Sequence, residues 1–451
     1  MARTFKTADY EATLNSQVSL REALPPDHLS RFVVDLVGQL DFSPFYARYS
    51  TCGGQPYAPE ILFSLLLYGY CTGVFSSRKI ERATTESLPF RFLAGAWQPD
   101  HDTIANFRRS FLAEIKELFV EVLLLAQAFG VLKLGNISLD GSKVHADASK
   151  SQAVSYKRLL ELEVILTREV EELFRLAEVA DGAGLPEGLC VADEIKFRQA
   201  RLARLATART ALEGRAKERY QSELAAYEEK LKERESKAQA SGRKAGGRPP
   251  QPPEPGARDK DQYNFTDPES RIMKNSTDDG FDQHYNTQVA VEQESLLIVA
   301  HAVTQAANDK QEAVPTVEAI DARVGTPAAA ALDNGYFSEK NIAALEAREI
   351  SPYIATGRES HHRNWQDYFA QQAAPLPASA STKEKMAYKL QTTVGKAIYG
   401  LRKSTVEPVI GIIKEVLGFR QFSLRGLVGA AGEWCLVCLA FNVKRLHSIR
   451  G

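Results

Sequence analysis

The chain has 451 residues, enough for two or three domains and a sizeable core, and its 44% hydrophobic and 25% charged residues are ordinary for a soluble protein. A net charge of −1 gives no whole-chain sign of a nucleic-acid partner. Five scattered cysteines, an odd number, exclude a disulfide framework and point to a reducing compartment. The N-terminal MARTFKTADYE lacks the apolar core of a signal peptide. Of the two longest apolar stretches, Ile61–Phe75 is too short to span a bilayer and Leu118–Leu134 contains Glu121 and Gln127, so no membrane is expected and a cytoplasmic protein is.

Residues 1–25 are polar and read as extended. From His28 to Leu134 the periodicity is helical. Leu29, Phe32, Val33, Leu36 and Leu40 recur at helical spacing. Pro59 suits the first turn of a second helix that ends near Gly73. Ser76 reads as the N-cap of a third helix, with basic residues in its first turns. In PDHDTIANFRRSF, 99–111, Asp102 or Thr103 can cap a helix that carries Arg108 and Arg109. A short helix, a turn and an Arg-bearing helix is consistent with a helix-turn-helix reader of DNA, although the pattern by itself favours a plain bundle with a charged face.

Residues 137–147 return to strand character and deliver Asp140 at the end of NISLDG. From about Ser155 to Lys237 the chain is charged and helical. One apolar stripe runs through Leu159, Leu162, Leu166, Val170, Leu173 and Leu176, and a second through Ile195, Leu202, Leu205, Leu212 and Ala216, continued out of phase by Leu224, Tyr227 and Leu231. Between them lies GAGLPEG, 182–188. An antiparallel helical hairpin with coiled-coil-like patterning is expected. Ser241–Lys260, rich in Pro, Gly and basic residues, reads as a flexible linker. The sheet then resumes. Tyr285–Val291 and Leu296–Ala302 pair as a hairpin, followed by a helix near Lys310–Val324 and a strand ending at Asp333. A helix at Ser338–Arg348 and a strand at Ser351–Ala355 follow. That order predicts a mixed α/β sheet whose first strand is separated from the second by the inserted hairpin.

Ala328–Tyr336, AAAALDNGY, is an apolar run that stops on Asp333 and turns at Asn334-Gly335. Asp140 is placed in the same way, and a helix from about Thr392 to Leu417 carries Glu407. Three carboxylates on rigid elements suit divalent metal and phosphoryl transfer. Mg2+ prefers carboxylate oxygens, and two ions can clamp the attacking and leaving oxygens of a phosphodiester exchange. Asp140 is the candidate bridge between the ions, with Asp333 on one and Glu407 on the other. From Lys396 to Gly451 there are nine Lys/Arg against three Glu, a basic segment suited to a polyanion. Asp147, Asp309 and the cluster of Asp278, Asp279, Asp282 and His284 are competing acids, better explained by turn chemistry. Cys435-x-x-Cys438 lies in the apolar run WCLVCLAF with no second ligand pair nearby and reads as buried helix packing.

At these residues the chain resembles the bacterial insertion-sequence transposases of the IS4/IS5-like superfamily, and among them the IS1182 group. The resemblance covers most of the chain. It is carried by PEILFSLLLYGYCTGVFSSRKIE, PDHDTIANFRRSF, SLDGSKVHADASKSQAVSY, NFTDPESRIMK, YNTQVAV, LDNGYFS and the closing GFRQFSLRG and FNVKRL. It implies that Asp140, Asp333 and Glu407 are the catalytic DDE carboxylates and metal ligands. The acidic helix is similar to the signature Tyr-x2-Arg-x3-Glu-x6-Lys through Tyr399, Arg402, Glu407 and Lys414. Four residues rather than three separate Arg402 from Glu407, so either Lys403 takes the Arg place or the helix is phased differently. The second motif has Asn334 where a small residue is commoner.

The domains expected are an N-terminal helical DNA-binding domain, 1–134, and an RNase H-like catalytic domain, 135–154 and 261–451. The latter is interrupted by the hairpin, 155–240, and the linker, 241–260. The implied activity is binding of terminal inverted repeats, metal-dependent cleavage and strand transfer. It uses two Mg2+ ions, for which Mn2+ can substitute, with double-stranded DNA as partner and a homodimer when two ends are paired. Arg108, Arg109, Tyr399, Arg402, Lys403 and Lys414 are the expected DNA contacts. Three other readings compete: a DNA-binding protein without catalysis, a nuclease that cuts but never joins, and a coiled-coil assembly protein. The last leaves the strand-borne acids unexplained.

Overall fold

The computed structural model describes residues 19–49, 55–95, 97–180, 190–241, 248–275, 280–357, 377 and 380–450. Residues 1–18 of the expected extended segment 1–25, the expected hairpin break 182–188 and Asp278 and Asp279 lie outside these residues, and residues 20–23 form a turn rather than extended chain. The chain divides into two compact units. Residues Met1–Val144 and Tyr285–Gly451 form one, and His145–His284 the other.

The first unit begins with helices α1 (Leu29–Val37), α2 (Ser43–Tyr46), α3 (Pro59–Cys71), α4 (Ser77–Glu86), α5 (Leu88–Leu93), α6 (His101–Ser110) and α7 (Leu112–Ala128). Pro59 occupies the first turn of α3, where its missing N–H costs nothing. Gly73 then adopts φ +78, which favours glycine, and a β-carbon there would lie 2.8 Å from the Leu417 carbonyl oxygen. Two expected caps differ. Asp100, rather than Asp102 or Thr103, caps α6 by accepting from the Thr103 amide. Ser76 sits at the N-cap of α4 but makes no side-chain cap bond.

Strand β1 (Asn136–His145) begins in the first unit, and the chain crosses into the second near its end. Asp140 therefore stands mid-strand rather than at a strand end. Gly141 lies within the strand, where close neighbours leave no room for a side chain.

The second unit contains β2 (Ala153–Ser155), α8 (Tyr156–Ala180), α9 (Val191–Ser241), β3 (Gln262–Asn264) and β4 (Arg271–Lys274). β2 and β3 pair antiparallel at the base of the two helices. Tyr156 with Glu213, Glu163 with Arg209 and Glu169 with Arg198 show that α8 and α9 run antiparallel. Their seam buries Leu159, Leu166, Leu205, Ala208 and Leu212, joined by Val154 and Tyr263 from the small sheet. The seam uses the apolar positions at helical spacing. Leu176, by contrast, is exposed. β4 pairs antiparallel with the opening residues, Phe281 to His284, of β5 (Phe281–Glu292).

From Tyr285 onward β5 belongs to the first unit. β6 (Ile298–Thr304), α10 (Ala313–Glu318), β7 (Ala329–Leu332), α11 (Glu339–Glu346) and β8 (Ser351–Ile354) follow. β6 returns antiparallel along β5. Gln293 N–H donates to the Asn136 carbonyl and Thr287 Oγ1 to the Ser142 carbonyl, so β5 also runs antiparallel to β1. β1, β7 and β8 are parallel, with Ala330 opposite Ile137 and Tyr353 opposite Ala331. The order in this unit is β6-β5-β1-β7-β8. β7 is wholly buried, which explains its unbroken apolar run. The helix expected near Lys310–Val324 contracts to α10, because Asp321 turns the chain by accepting from the Arg323 amide.

The remaining helices are α12 (Thr382–Gln391), α13 (Thr393–Gly400), α14 (Arg402–Gly411) and α15 (Gly426–Arg450), with a π-helical turn at Ile412–Val416. The single helix expected over 392–417 is thus three segments. Ser404 and Thr405 hydroxyls bond back to the Leu401 carbonyl, and Pro408 has no N–H to continue the ladder. α15 packs against α7, α3 and β6 and buries Trp434, Cys435, Leu436, Val437, Cys438 and Leu439. It is the one described helix long and apolar enough to cross a membrane, but two-thirds of that stretch is buried in the protein.

Candidate active site

Asp140 and Asp333 come from neighbouring parallel strands. Asp140 is in β1, and Asp333 directly follows β7, where its carboxylate accepts from the Gly335 amide and starts the short 3-10 turn Asn334–Tyr336. Glu407 lies on α14. Arg402, one turn earlier on the same helix, joins the set. Its guanidinium donates to Asp140 Oδ2 at 3.2 Å and to Glu407 Oε1 at 2.9 Å. The Arg402 side chain is 8% exposed, against 20% for Asp140 and 47% for Glu407, so the arginine is the buried hub of the group. Of the two ways to phase the acidic helix, the one that brings an arginine onto Glu407 uses Arg402, and Lys403 lies exposed.

A second set of bonds fixes α13 and α14 to the sheet. Gln293 Nε2 donates to Ser138 Oγ at 3.0 Å and to the Ile398 carbonyl at 3.0 Å. Thr405 Oγ1 lies 2.8 Å from Ser138 Oγ, within hydrogen-bond reach. All three side chains are buried. Lys414 Nζ donates to the Lys143 carbonyl, tying the π-helical turn to β1. Sequence reasoning missed Ser138, Gln293 and Thr405. Ser138 sits two residues before Asp140, on the same face of β1, and that spacing was the available signal.

Burial pushes the Asp140 carboxyl up to about 6. Arg402 opposes that rise, while Asp333 and Asp309 reinforce it. Burial disfavours the charged form of Arg402, but Asp140, Tyr399, Glu407 and Asp333 together outweigh it and raise its pKa. Burial, with help from the like charge of Arg420, lowers Lys414.

The expected basic wall is largely engaged in structure. Lys444 Nζ donates to the Cys71 carbonyl, Arg445 Nε to the Ser295 carbonyl, and Arg420 pairs with Glu415. Arg108 is buried rather than presented to solvent. It donates to Tyr70 Oη at 2.8 Å and to the Phe75 carbonyl, and lies 3.6 Å from the fully buried Glu433. Arg109 is exposed and bonds Asn106. Tyr399 is half-buried beside Arg402. Among the competing acids, Asp282 pairs with Lys150 in the second unit, and the His145 and His284 rings lie 4.3 Å apart there, tilted by 33°. Cys435 and Cys438 are buried, and burial pushes the Cys435 thiol up to about 12.

Asp140, Asp333 and Glu407 offer the hard oxygens that Mg2+ prefers, and Asp140 is a part-buried acid beside two others whose charge a cation would balance. The donor chemistry fits a divalent ion. Among the described residues, no three His, Cys, Asp or Glu side chains are already gathered into a cage.

Two family models match the chain. The Transposase domain (DUF772) matches residues 18–110, and the Transposase DDE domain matches residues 371–447, which include Tyr399, Arg402, Glu407 and Lys414. Both matches are to transposase domains, and together they support an insertion-sequence DDE transposase. The pairing of these two domains fits the IS1182 group. No curated protein and no solved structure matches it.

Proposed function

We propose that this transposase binds the terminal inverted repeats of its element, cleaves the phosphodiester at each end to free a 3′-hydroxyl, and transfers that end to target DNA. The observation that carries this reading is the junction of Asp140, Arg402 and Glu407 beside the turn that holds Asp333. The strand order, an antiparallel pair beside three parallel strands, supports an RNase H-like catalytic core.

Asp140, Asp333 and Glu407 would hold Mg2+, with Mn2+ as substitute. When bound, the metal supplies Lewis-acid charge to both in-line exchanges, hydrolysis and joining. Arg402 holds Asp140 and Glu407 toward each other and contributes positive charge where the scissile phosphate must approach. Arg109, Tyr399, Lys403 and Lys414 are proposed DNA contacts, with Arg402 shared between DNA and the acids. Arg108 leaves that set because its charge is committed to the core. The active complex is proposed to be a homodimer in the cytoplasm.

Purified protein, Mg2+ and labelled duplexes made from the DNA flanking the gene test the proposal. Wild type is expected to yield end cleavage and joined product, and Asp333→Asn neither. Specific binding without metal-dependent cutting in wild type would replace transposition by the binding-only reading. Cutting without a joined product would favour a nuclease.

A further inference from the structure

A buried polar network, to which neither Asp140 nor Asp333 belongs, joins the turn that Asp333 begins to β5 and abuts the residue after Asp140. Tyr336 closes the 3-10 turn that Asp333 begins, and its hydroxyl donates to Gln288 Oε1 of β5. The Gln288 amide nitrogen donates to Asp309 Oδ1 at 2.6 Å and to Asn286 Oδ1 at 3.2 Å. Asn286 Nδ2 donates in turn to Asp309 Oδ1 at 2.8 Å. Gln288 and Tyr336 are fully buried and Asn286 nearly so. On the other side the same atoms meet the residue after Asp140. A β-carbon on Gly141 would run into Gln288 Nε2 and lie 2.5 Å from Asp309 Oδ1.

Stability does not require polar groups here, since buried polar networks are often matched by apolar packing of the same shape. Their directional bonds, however, fix geometry in a way that apolar contacts do not. Asp309 decides which end of the Gln288 amide faces Tyr336. With Asp309 and Asn286 accepting from the nitrogen, the oxygen must face the phenol. Burial, reinforced by Asp309, Asp140 and Asp333, holds that phenol protonated and so a permanent donor.

We propose that Gln288 is a positioning residue that sets the separation of the Asp140 and Asp333 carboxylates, gripping the Asp333 turn through Tyr336 and abutting β1 at Gly141, with Asp309 fixing its orientation. This rests on the reading that the two carboxylates hold a divalent cation. Polar partners behind such ligands typically change metal affinity about 10-fold or more when removed.

The test is Mn2+ binding to the full chain, followed by calorimetry and by the Mn2+ paramagnetic signal, with no DNA present. Wild type, Tyr336→Phe, Gln288→Met and Asp333→Asn are compared, and melting temperatures are taken in EDTA. The expected result is loss of binding in Asp333→Asn and about 10-fold weaker binding in Tyr336→Phe and Gln288→Met, proteins that remain folded at the assay temperature. Equal affinity of wild type, Tyr336→Phe and Gln288→Met, with Asp333→Asn still defective, overturns the positioning role and leaves the metal reading intact. Lower melting temperatures with unchanged affinity overturn it equally, since a merely structural network would act only on stability. No Mn2+ binding in wild type, or binding that ignores Asp333, overturns the metal reading and this inference with it.

Discussion

Charge at a residue is decided by what surrounds it, and Arg108 and Arg109 make the contrast within two positions. Arg108 is enclosed with Tyr70 and Glu433, while Arg109 faces solvent. Glu433 also accepts from the amides of Ser423 and Leu424 and from the Tyr70 hydroxyl, so it is an organising centre for the loop before α15. Arg108→Met is expected to lower unfolding free energy by about 3 kcal/mol, the low end of the cost of breaking a buried pair. Arg109→Ala should stay within about 0.5 kcal/mol. Urea melts of both variants decide, and equal stability would sink the assignment of Arg108 to the core. His301 offers a second test. Its ring meets Phe119 edge-on at 4.8 Å, and burial, aided by Lys116, pushes its pKa down to about 3. The unfolded chain takes up a proton near pH 6.5 that the folded one refuses. This contribution is therefore complete above about pH 6.5 and shrinks as pH falls toward 3, by about 2–3 kcal/mol at pH 4.5. His301→Gln should flatten the acid side of the stability curve, measured as urea midpoints at pH 7 and pH 4.5. An unchanged slope would show that His301 is free to protonate.

At the scale of elements, α14 and the α8–α9 hairpin are held by opposite means. α14 is short and interrupted by Pro408, and its position comes from Thr405, Arg402 and the Gln293 bridge rather than from helix propensity. Pro408→Ala restores a donor to the helix and should raise stability by about 1–2 kcal/mol. A lower melting temperature would mean that the proline ring is needed for packing. The hairpin depends on one apolar seam. Leu205→Ala should cost it about 2–4 kcal/mol. Because Leu205 packs within the second unit, amide exchange should quicken in α8 and α9 and stay unchanged in β7. Equal quickening in both would show that the two units unfold together.

Over the whole molecule, the helices before residue 134 and the strands after residue 284 belong to one compact unit, joined through α15, which touches α3, α7 and β6. The boundary expected at residue 134 falls inside this unit. Local pattern was nevertheless a good guide to elements. The buried alanine run of β7, the β5–β6 hairpin, Pro59 at the start of α3 and the two stripes of α8 and α9 are each written in neighbouring residues, since period, turn chemistry and propensity are local properties. Short elements such as β2, β3 and β4 were not legible, because three or four residues carry too little periodicity and their pairing partners lie far along the chain. The same distinction divides the site. Asp140, Asp333 and Glu407 are proposed from sequence, because each stands in a recognisable local setting. The placement of Arg402 between two of them, the burial of Arg108 and the bonding of Tyr336 through Gln288 to Asp309 were decided by tertiary structure alone. Each depends on side chains from separate elements meeting in a low-dielectric interior, where geometry determines which charges pair and which donors find acceptors.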